Sequence, residues 1–246
     1  MKRERGERED LLCGVNAVLE QLRADPSRIR RLWVTSEPGG ARRTVVDEAR
    51  RRGVAIQAAD TRALDKLAGG VRHQGVVAEV EDFRYAEWDE LMAASPSCVV
   101  ALDEVTDPRN VGAIVRSVDA VGAGGVLIPS HRSAGVTAVT ARASAGATAR
   151  VPIVRAGNLA QALEQLKKTG FWVVGLDGDA DAELFDFTFP DRSVLVLGSE
   201  GKGLRPIIRA ACDHRVAIPM RGAVASLNVS VAGAVALYEW LRQRGR

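Results

Sequence analysis

The apolar residues of the first eighty positions change between helical and strand spacing. Leu11, Val15, Val18 and Leu22 recur at the interval of a helix, which we predict over residues 11–22. The following pattern predicts a strand at 31–35, a basic helix at 43–52, a strand at 54–58, a helix at 61–67 and a strand at 75–80. These elements predict a small N-terminal α/β domain over residues 1–81.

The later part of the chain alternates apolar strands with amphipathic helices. Strands are predicted at 98–102, 125–128, 151–154, 171–176, 193–197 and 215–218, and helices at 110–122, 137–145, 158–169, 203–211 and 227–243. Near-continuous apolar strands separated by helices indicate a parallel sheet covered on both faces. Acidic, aromatic and small residues mix over 82–97, which we interpret as a linker between the first domain and a second one at 98–246.

Composition narrows the class of protein. Hydrophobic residues make up 46% and charged residues 26% of the 246 residues, as in a soluble globular chain. No apolar run reaches the roughly 18 residues that span a bilayer, and the charged first ten residues do not form a secretory signal. Three widely spaced cysteines form neither a metal motif nor a disulfide framework. We therefore expect a cytoplasmic protein without a membrane segment or a bound metal.

Arginine supplies 29 of the 34 basic residues, although the net charge is only +3. Guanidinium groups bind phosphates in a fork geometry, which favours a nucleic-acid partner. A compositional bias of an arginine-rich proteome would give the same count. Aromatic residues make up only 4%, which argues against base stacking as the main contact.

Three polar segments follow predicted strands at 103–112, 198–203 and 218–228. Ligands bind at the carboxyl ends of strands in open α/β sheets, so the three segments predict one composite site. Other sites are disfavoured, because the chain has no dinucleotide fingerprint, no phosphate loop of correct spacing and no Gly-x-Ser-x-Gly elbow. His73, His131 and His214 lie outside the three segments.

Each polar residue of these segments also has an ordinary structural interpretation. Asn and Ser are favoured helix caps, so Asn110 could cap a helix. Ser226 precedes the last predicted helix and could cap it. Arg116 lies off the apolar seam of its helix and could be a solvated surface residue. Glu200 lies among three glycines that could form a plain turn.

The combination of segments resembles the three motifs of the SpoU, or TrmH-like, ribose 2′-O-methyltransferases. The motifs are Asp-Pro-Arg-Asn-Val-Gly with Arg116, the Gly-Ser-Glu-Gly-Lys-Gly loop, and Ile-Pro-Met-Arg-Gly followed by Ser-Leu-Asn-Val-Ser. The likeness covers about residues 98–244. The N-terminal part is similar to the substrate-binding domain of the RlmB branch, at Cys13-Gly14-Val15-Asn16-Ala17-Val18 and His73-Gln74-Gly75-Val76-Val77-Ala78.

This resemblance implies a SPOUT-type sheet with a trefoil knot, a homodimer, and transfer of a methyl group from S-adenosylmethionine to a guanosine ribose of 23S ribosomal RNA. The implied catalytic residues are Asn110, Arg116, Glu200, Ser226 and Asn228. The implied cofactor-binding residues are Leu176, Leu197, Gly198, Gly201, Ile218, Met220 and Leu227. Arg116 is expected to grip a phosphate or the nascent 2′-oxyanion, since a guanidinium rarely gives up its proton. Glu200 is expected to orient Asn110 or Arg116.

Two other functions stay open at this point. One is methylation of transfer RNA or of another ribosomal site, including a site that confers antibiotic resistance, because these enzymes share the same three motifs. The other is a non-catalytic RNA-binding assembly factor. All five implied catalytic residues are present in the chain, which disfavours the second.

Overall fold

The computed structural model describes residues 11–36 and 39–245. The charged segment 1–10 and residues 37, 38 and 246 lie outside the described residues. The chain divides into two compact units, Met1–Arg84 with Val136–Arg150, and Tyr85–Gly135 with Val151–Arg246. Within the described part, no helix is long and apolar enough to cross a membrane.

The N-terminal unit is a four-stranded mixed sheet with helices packed against it. Its elements are β1 (Leu11–Cys13), α1 (Val15–Ala24), β2 (Ile29–Thr35), α2 (Ala41–Arg51), β3 (Ile56–Ala59), α3 (Thr61–Ala68) and β4 (Val76–Val80). The strand order is β1-β4-β2-β3. Strand β4 pairs antiparallel with both β1 and β2, whereas β2 and β3 are parallel.

The prediction of a helix from residue 11 is wrong for its first three residues. Leu11–Cys13 is a buried strand whose residues pair with 79 to 77 of β4. Leu12 belongs to one apolar cluster, while Leu11 and Cys13 belong to another. Alternate residues therefore face opposite sides of the sheet, which is strand geometry. Gly14, with φ of 105°, is the N-cap residue, and the helix begins at Val15.

The second unit is a seven-stranded sheet in which every pairing is parallel. Its strands are β5 (Cys98–Leu102), β6 (Val126–Pro129), β7 (Ile153–Ala156), β8 (Trp172–Leu176), β9 (Ala182–Glu183), β10 (Ser193–Leu197) and β11 (His214–Ala217). The helices are α4 (Trp88–Ala93), α5 (Pro108–Val121), α7 (Leu159–Lys168), α8 (Pro206–Ala211) and α9 (Val229–Gln243). The strand order is β7-β6-β5-β10-β8-β11-β9, so the predicted parallel sheet is confirmed.

One helix was not predicted from the sequence, and another packs in a unit that its sequence did not indicate. Helix α4 lies inside residues 82–97 and places Leu91 in the core of the second unit. Helix α6 (Ala138–Ala143) follows β6 in the chain but packs in the N-terminal unit, where Ala138 joins the cluster around Leu12. An ion pair between Arg150 and Glu20 also ties this segment to α1.

Candidate active site

A cavity of about 640 Å³ lies where β8, β10 and β11 reach their carboxyl ends. The loops after these three strands enclose it, as expected for a ligand site of an open parallel sheet. The cavity is lined by all seven residues that the resemblance assigned to the cofactor, namely Leu176, Leu197, Gly198, Gly201, Ile218, Met220 and Leu227. Glu200, Ser226 and Asn228 line it as well.

The glycine loop 198–203 folds back on itself at one wall of the cavity. Ser199 and Gly203 exchange two backbone hydrogen bonds of 3.0 and 2.9 Å, and Gly201 and Gly203 have φ of 77° and 65°. A Cβ atom on Gly198 would lie 2.3 Å from the carbonyl carbon of Gly203. Gly198 is therefore required for the close approach of two backbone segments, which explains the glycine at that position.

Asn110, Glu200 and Asn228 meet in one hydrogen-bonded cluster. The Oε1 atom of Glu200 accepts from Nδ2 of Asn110 at 2.7 Å and from Nδ2 of Asn228 at 2.6 Å. Nδ2 of Asn228 also donates to Oδ1 of Asn110 at 3.1 Å. A carboxylate only accepts hydrogen bonds, so it fixes which end of each amide points towards it. Residues from the first, second and third sequence motifs thus form one rigid polar group.

The capping interpretations of these residues are resolved by the same geometry. Asp107 caps α5 by accepting from the backbone N of Arg109 at 2.7 Å, so Asn110 is not the cap. Asn228 caps α9, because its Oδ1 accepts from the backbone N of Ser230 at 2.9 Å. The expectation that Ser226 caps the last helix is therefore wrong. Ser226 is exposed in the loop that precedes the helix.

Arg116 makes no contact with the amide cluster. It lies six residues after Asn110 on α5, which places it about a third of a turn away at about 100° per residue. Its side chain is exposed and forms no hydrogen bond or ion pair with the residues that the structure describes. Glu200 contacts Asn110 rather than Arg116. Arg116 is therefore free to bind a ligand from solvent.

Two buried carboxylates that follow strands of the sheet were given no role of their own from the sequence. Asp103 is fully buried after β5 and accepts from the backbone N and the Nε of Arg205 at 2.8 and 2.6 Å. Asp177 is buried after β8 and pairs with Arg209 and Arg215 at 3.0 and 3.1 Å. Both carboxylates directly follow a strand, a signal that could have identified them. Asp103 anchors the chain directly after the glycine loop through Arg205, and Asp177 joins the loop after β8 to α8 and β11 through Arg209 and Arg215.

The described residues offer neither a reactive thiol at Cys212 nor a group of side chains that could hold a metal ion. Burial raises the pKa of the Cys212 thiol to about 11, so this thiol is protonated at neutral pH and is a poor nucleophile. No group of three His, Cys, Asp or Glu side chains within residues 11–36 and 39–245 could hold a metal ion.

Comparison with known proteins relates this geometry to a family. Residues 97–238 match the SpoU rRNA Methylase family, and residues 11–86 match the RNA 2′-O ribose methyltransferase substrate-binding family. A TrmH-family tRNA/rRNA methyltransferase of Bacillus subtilis, YacO, is 39% identical over 97% of both chains. The 23S rRNA (guanosine-2′-O-)-methyltransferase RlmB of Shewanella oneidensis is 39% identical over 96% of this chain and 98% of its own.

A solved structure gives the same assignment. The SpoU methyltransferase AviRb of Streptomyces viridochromogenes, in complex with the cofactor AdoMet, has a TM-score of 0.79 and 29% identity, over 95% of this chain and 90% of that chain. The parallel sheet, the loop cavity and these matches define the class of S-adenosylmethionine-dependent RNA ribose methyltransferases. The chain belongs to the SpoU family of these enzymes, which confirms the resemblance inferred from its motifs.

Proposed function

We propose that the protein methylates the ribose 2′-hydroxyl of a guanosine in 23S ribosomal RNA. The observation that supports this most is the Asn110–Glu200–Asn228 cluster, of which Glu200 and Asn228 line the cavity, in a chain 39% identical to an RlmB enzyme along nearly its full length. RNA is the partner, and the cytoplasm is where this substrate would be found.

The cavity suits S-adenosylmethionine in size and lining. Leu176, Leu197 and Ile218 offer aliphatic walls, and Gly198 exposes backbone where a side chain would block approach. We assign the cofactor to these residues together with Gly201, Met220 and Leu227. When bound, the sulfonium supplies an electrophilic methyl group and leaves as a neutral thioether.

The amide cluster would orient the ribose. Nδ2 of Asn228 uses both of its N–H groups, on Glu200 and on Asn110. One N–H of Asn110 and the Oε2 of Glu200 have no partner within the described residues. These two atoms could hold a hydroxyl group at a defined angle, with Ser226 nearby on the cavity lining. Positioning of this kind contributes several kcal/mol, at most about 7–11.

Arg116 would stabilise negative charge on the substrate. Its guanidinium is exposed and has no partner in the described part of the chain, which suits a phosphate or the developing 2′-oxyanion. This role predicts that Arg116→Lys loses most methyl-transfer activity while affinity for S-adenosylmethionine, measured by calorimetry, stays unchanged. Full activity of Arg116→Lys across the pH range would show that fork recognition is not needed.

We further propose that the enzyme is a homodimer and that its sheet carries the trefoil knot of the family. Val231 and Tyr238 lie seven residues apart on one face of α9 and are 48% and 54% exposed, so they offer an apolar surface to a second copy. Light scattering measures the oligomeric state. We expect the wild type to be a dimer and Val231→Asp to form a weaker dimer. A monomeric wild type would contradict it.

The domain boundaries also form part of the proposal. Residues 1–81 would bind the RNA substrate and residues 98–246 would carry the methyltransferase site, with 82–97 between them. Support comes from the two family matches, which end at residue 86 and begin at residue 97. In the structure, 82–97 holds a helix, and 136–150 packs in the N-terminal unit.

Transfer RNA is the second candidate substrate, because the relative from Bacillus subtilis is described as a tRNA/rRNA enzyme. Against it, the A. aeolicus TrmH/SpoU tRNA modifying enzyme matches only 61% of this chain, with a TM-score of 0.55. Mapping of ribose methylation in cellular RNA with and without the gene separates the two. Loss at one large-subunit guanosine is expected, whereas a lost transfer-RNA mark with an unchanged ribosomal pattern would overturn the ribosomal assignment.

A further inference from the structure

The N-terminal unit has a cavity of its own, of about 440 Å³. It lies between the end of β2, the first turn of α2, one side of α3 and the loop that precedes β4. The lining is mostly polar and consists of Thr35, Arg42, Thr61, Asp65, Gly70, Val71, Arg72, His73, Gln74 and Gly75. This cavity contains the His-Gln-Gly segment that the site in the second unit does not use.

The His-Gln-Gly loop is held rigidly. The Oε1 atom of Gln74 accepts from the backbone N of Val15 at 3.2 Å, which ties the loop to the start of α1. Nδ1 of His73 accepts from the backbone N of Gly75 at 3.0 Å, so its Nε2 carries the proton and donates to Asp65 at 3.0 Å. The negative charge of Asp65 is therefore already engaged by a hydrogen bond.

Gly75 leaves room for an arginine to lie across the loop. Its φ is 80°, and a Cβ atom there would be 2.8 Å from Cδ of Arg42. The same position is 3.1 Å from Nη1 of Arg42 and 3.1 Å from Oγ1 of Thr35. Two polar side chains thus converge over a glycine that a larger residue could not replace without moving them.

These two side chains have buried polar atoms without partners. Nε of Arg42 and Oγ1 of Thr35 are both buried and form no hydrogen bond with residues 11–36 or 39–245. The Arg42 guanidinium forms no ion pair with the described residues, and neither does Arg72 on the same lining. Buried polar groups in native proteins are nearly always satisfied, so these two atoms offer hydrogen-bonding capacity beside the cavity.

The charged residues around the cavity indicate the sign of the charge that a ligand there would carry. Arg43 follows Arg42 on α2, and Arg62 and Lys66 each follow a lining residue of α3. All three are exposed and form no ion pair within the described residues. The cavity is therefore a concave part of a basic face, which attracts an anion.

We propose that this cavity binds a backbone phosphate of the RNA substrate, with Arg42 as its principal contact and Arg72 beside it. The inference rests on the proposed function, since it assigns part of the RNA contact to these residues. A phosphate would take the two terminal nitrogens of Arg42 in a fork. As the side chain turns towards the phosphate, Nε and the Thr35 hydroxyl regain access to hydrogen-bond partners.

The test compares Arg42→Ala with Arg50→Ala, using protein-free 23S ribosomal RNA as the probe. Arg50 lies on the same helix, is exposed and does not line the cavity, so its substitution removes the same charge. Arg42→Ala is expected to weaken RNA binding about tenfold and to reduce the slope of log K against log salt by about 0.7–0.9, the value of one phosphate contact. Arg42→Lys should keep the slope and lose part of the affinity.

Kinetics provide a second readout. Arg42→Ala should raise KM for RNA, whereas kcat at saturating RNA and the affinity for S-adenosylmethionine should stay unchanged. If Arg42→Ala and Arg50→Ala have the same affinity and salt slope, the phosphate site is wrong. A wild-type protein that binds S-adenosylmethionine but no RNA would refute the proposed function itself, so the two failures are distinguishable.

Discussion

Replacement of Glu200 by glutamine isolates the role of the amide cluster. The substitution keeps the size of the side chain and removes its charge. In the wild type, Oε1 of Glu200 accepts from Asn110 at 2.7 Å and from Asn228 at 2.6 Å. Glutamine offers a neutral oxygen in the same place, so both amides would be held less firmly.

The expected loss follows from the two hydrogen bonds. A bond to a charged acceptor is worth about 1.5–3 kcal/mol and a neutral one about 0.5–1.5, a difference of about 1–1.5 for each bond. Asn110 is buried and feels the full difference, whereas Asn228 is exposed and feels less because water competes. A total of about 1.5–2 kcal/mol predicts a fall in kcat of about tenfold to thirtyfold.

Steady-state kinetics of RNA methylation test this estimate. kcat should fall while calorimetric affinity for S-adenosylmethionine stays constant, because Glu200 positions the amides and is not expected to hold the cofactor. Glu183→Gln on β9 is the matched control, since it neutralises an exposed carboxylate without an ion pair among the described residues. If Glu200→Gln keeps the wild-type kcat, or if its effect simply adds to that of Asn110→Ala, the cluster does not act as a unit.

Three further substitutions or treatments test the site and the core. Gly198→Ala should weaken S-adenosylmethionine binding about fivefold or more in calorimetry, because overpacking against backbone costs about 1–3 kcal/mol; unchanged affinity would contradict the close approach. A hydrogen bond from Arg52 lowers the pKa of Glu48. Its stabilisation is therefore present above the unfolded value of about 4.3 and is lost as pH falls through the lower folded value. Glu48→Gln should accordingly lower the Tm at pH 7, and the difference from wild type should shrink at pH 3; an equal difference at both pH values would exclude the pairing. Burial raises the pKa of Cys98 to about 12 and that of Cys212 to about 11, so iodoacetamide should label neither in the native protein at pH 8 and both in urea; rapid native labelling, seen by mass spectrometry, would refute their burial.

The parallel sheet of the second unit was predictable because its strands β5, β6 and β10 are buried on both faces. Ser193–Leu197, for example, is buried throughout and reads as an uninterrupted strand. Leu11–Cys13 was misread because three apolar residues in a row fit a helix or a strand equally well. Only its pairing with β4 decides between them, and that pairing joins residues more than sixty positions apart.

The location of the site was predictable, but its internal contacts were not. Loops after strands of a parallel sheet share one edge, which brings 198–203 and 218–228 to the same cavity. The partners of Glu200 depend on side-chain directions across 90 residues of chain, which no local pattern encodes. The same applies to α6, whose own sequence indicates a helix but not the unit on which it packs.

The proposed reaction is tested most directly with purified protein, S-adenosylmethionine and unmodified 23S ribosomal RNA, followed by nuclease digestion and mass spectrometry of the nucleosides. We expect one new 2′-O-methylguanosine at a single position, and we expect Asn110→Ala to abolish it. Methylation on a base, or no transfer by a protein that binds both S-adenosylmethionine and this RNA, would contradict the proposed reaction.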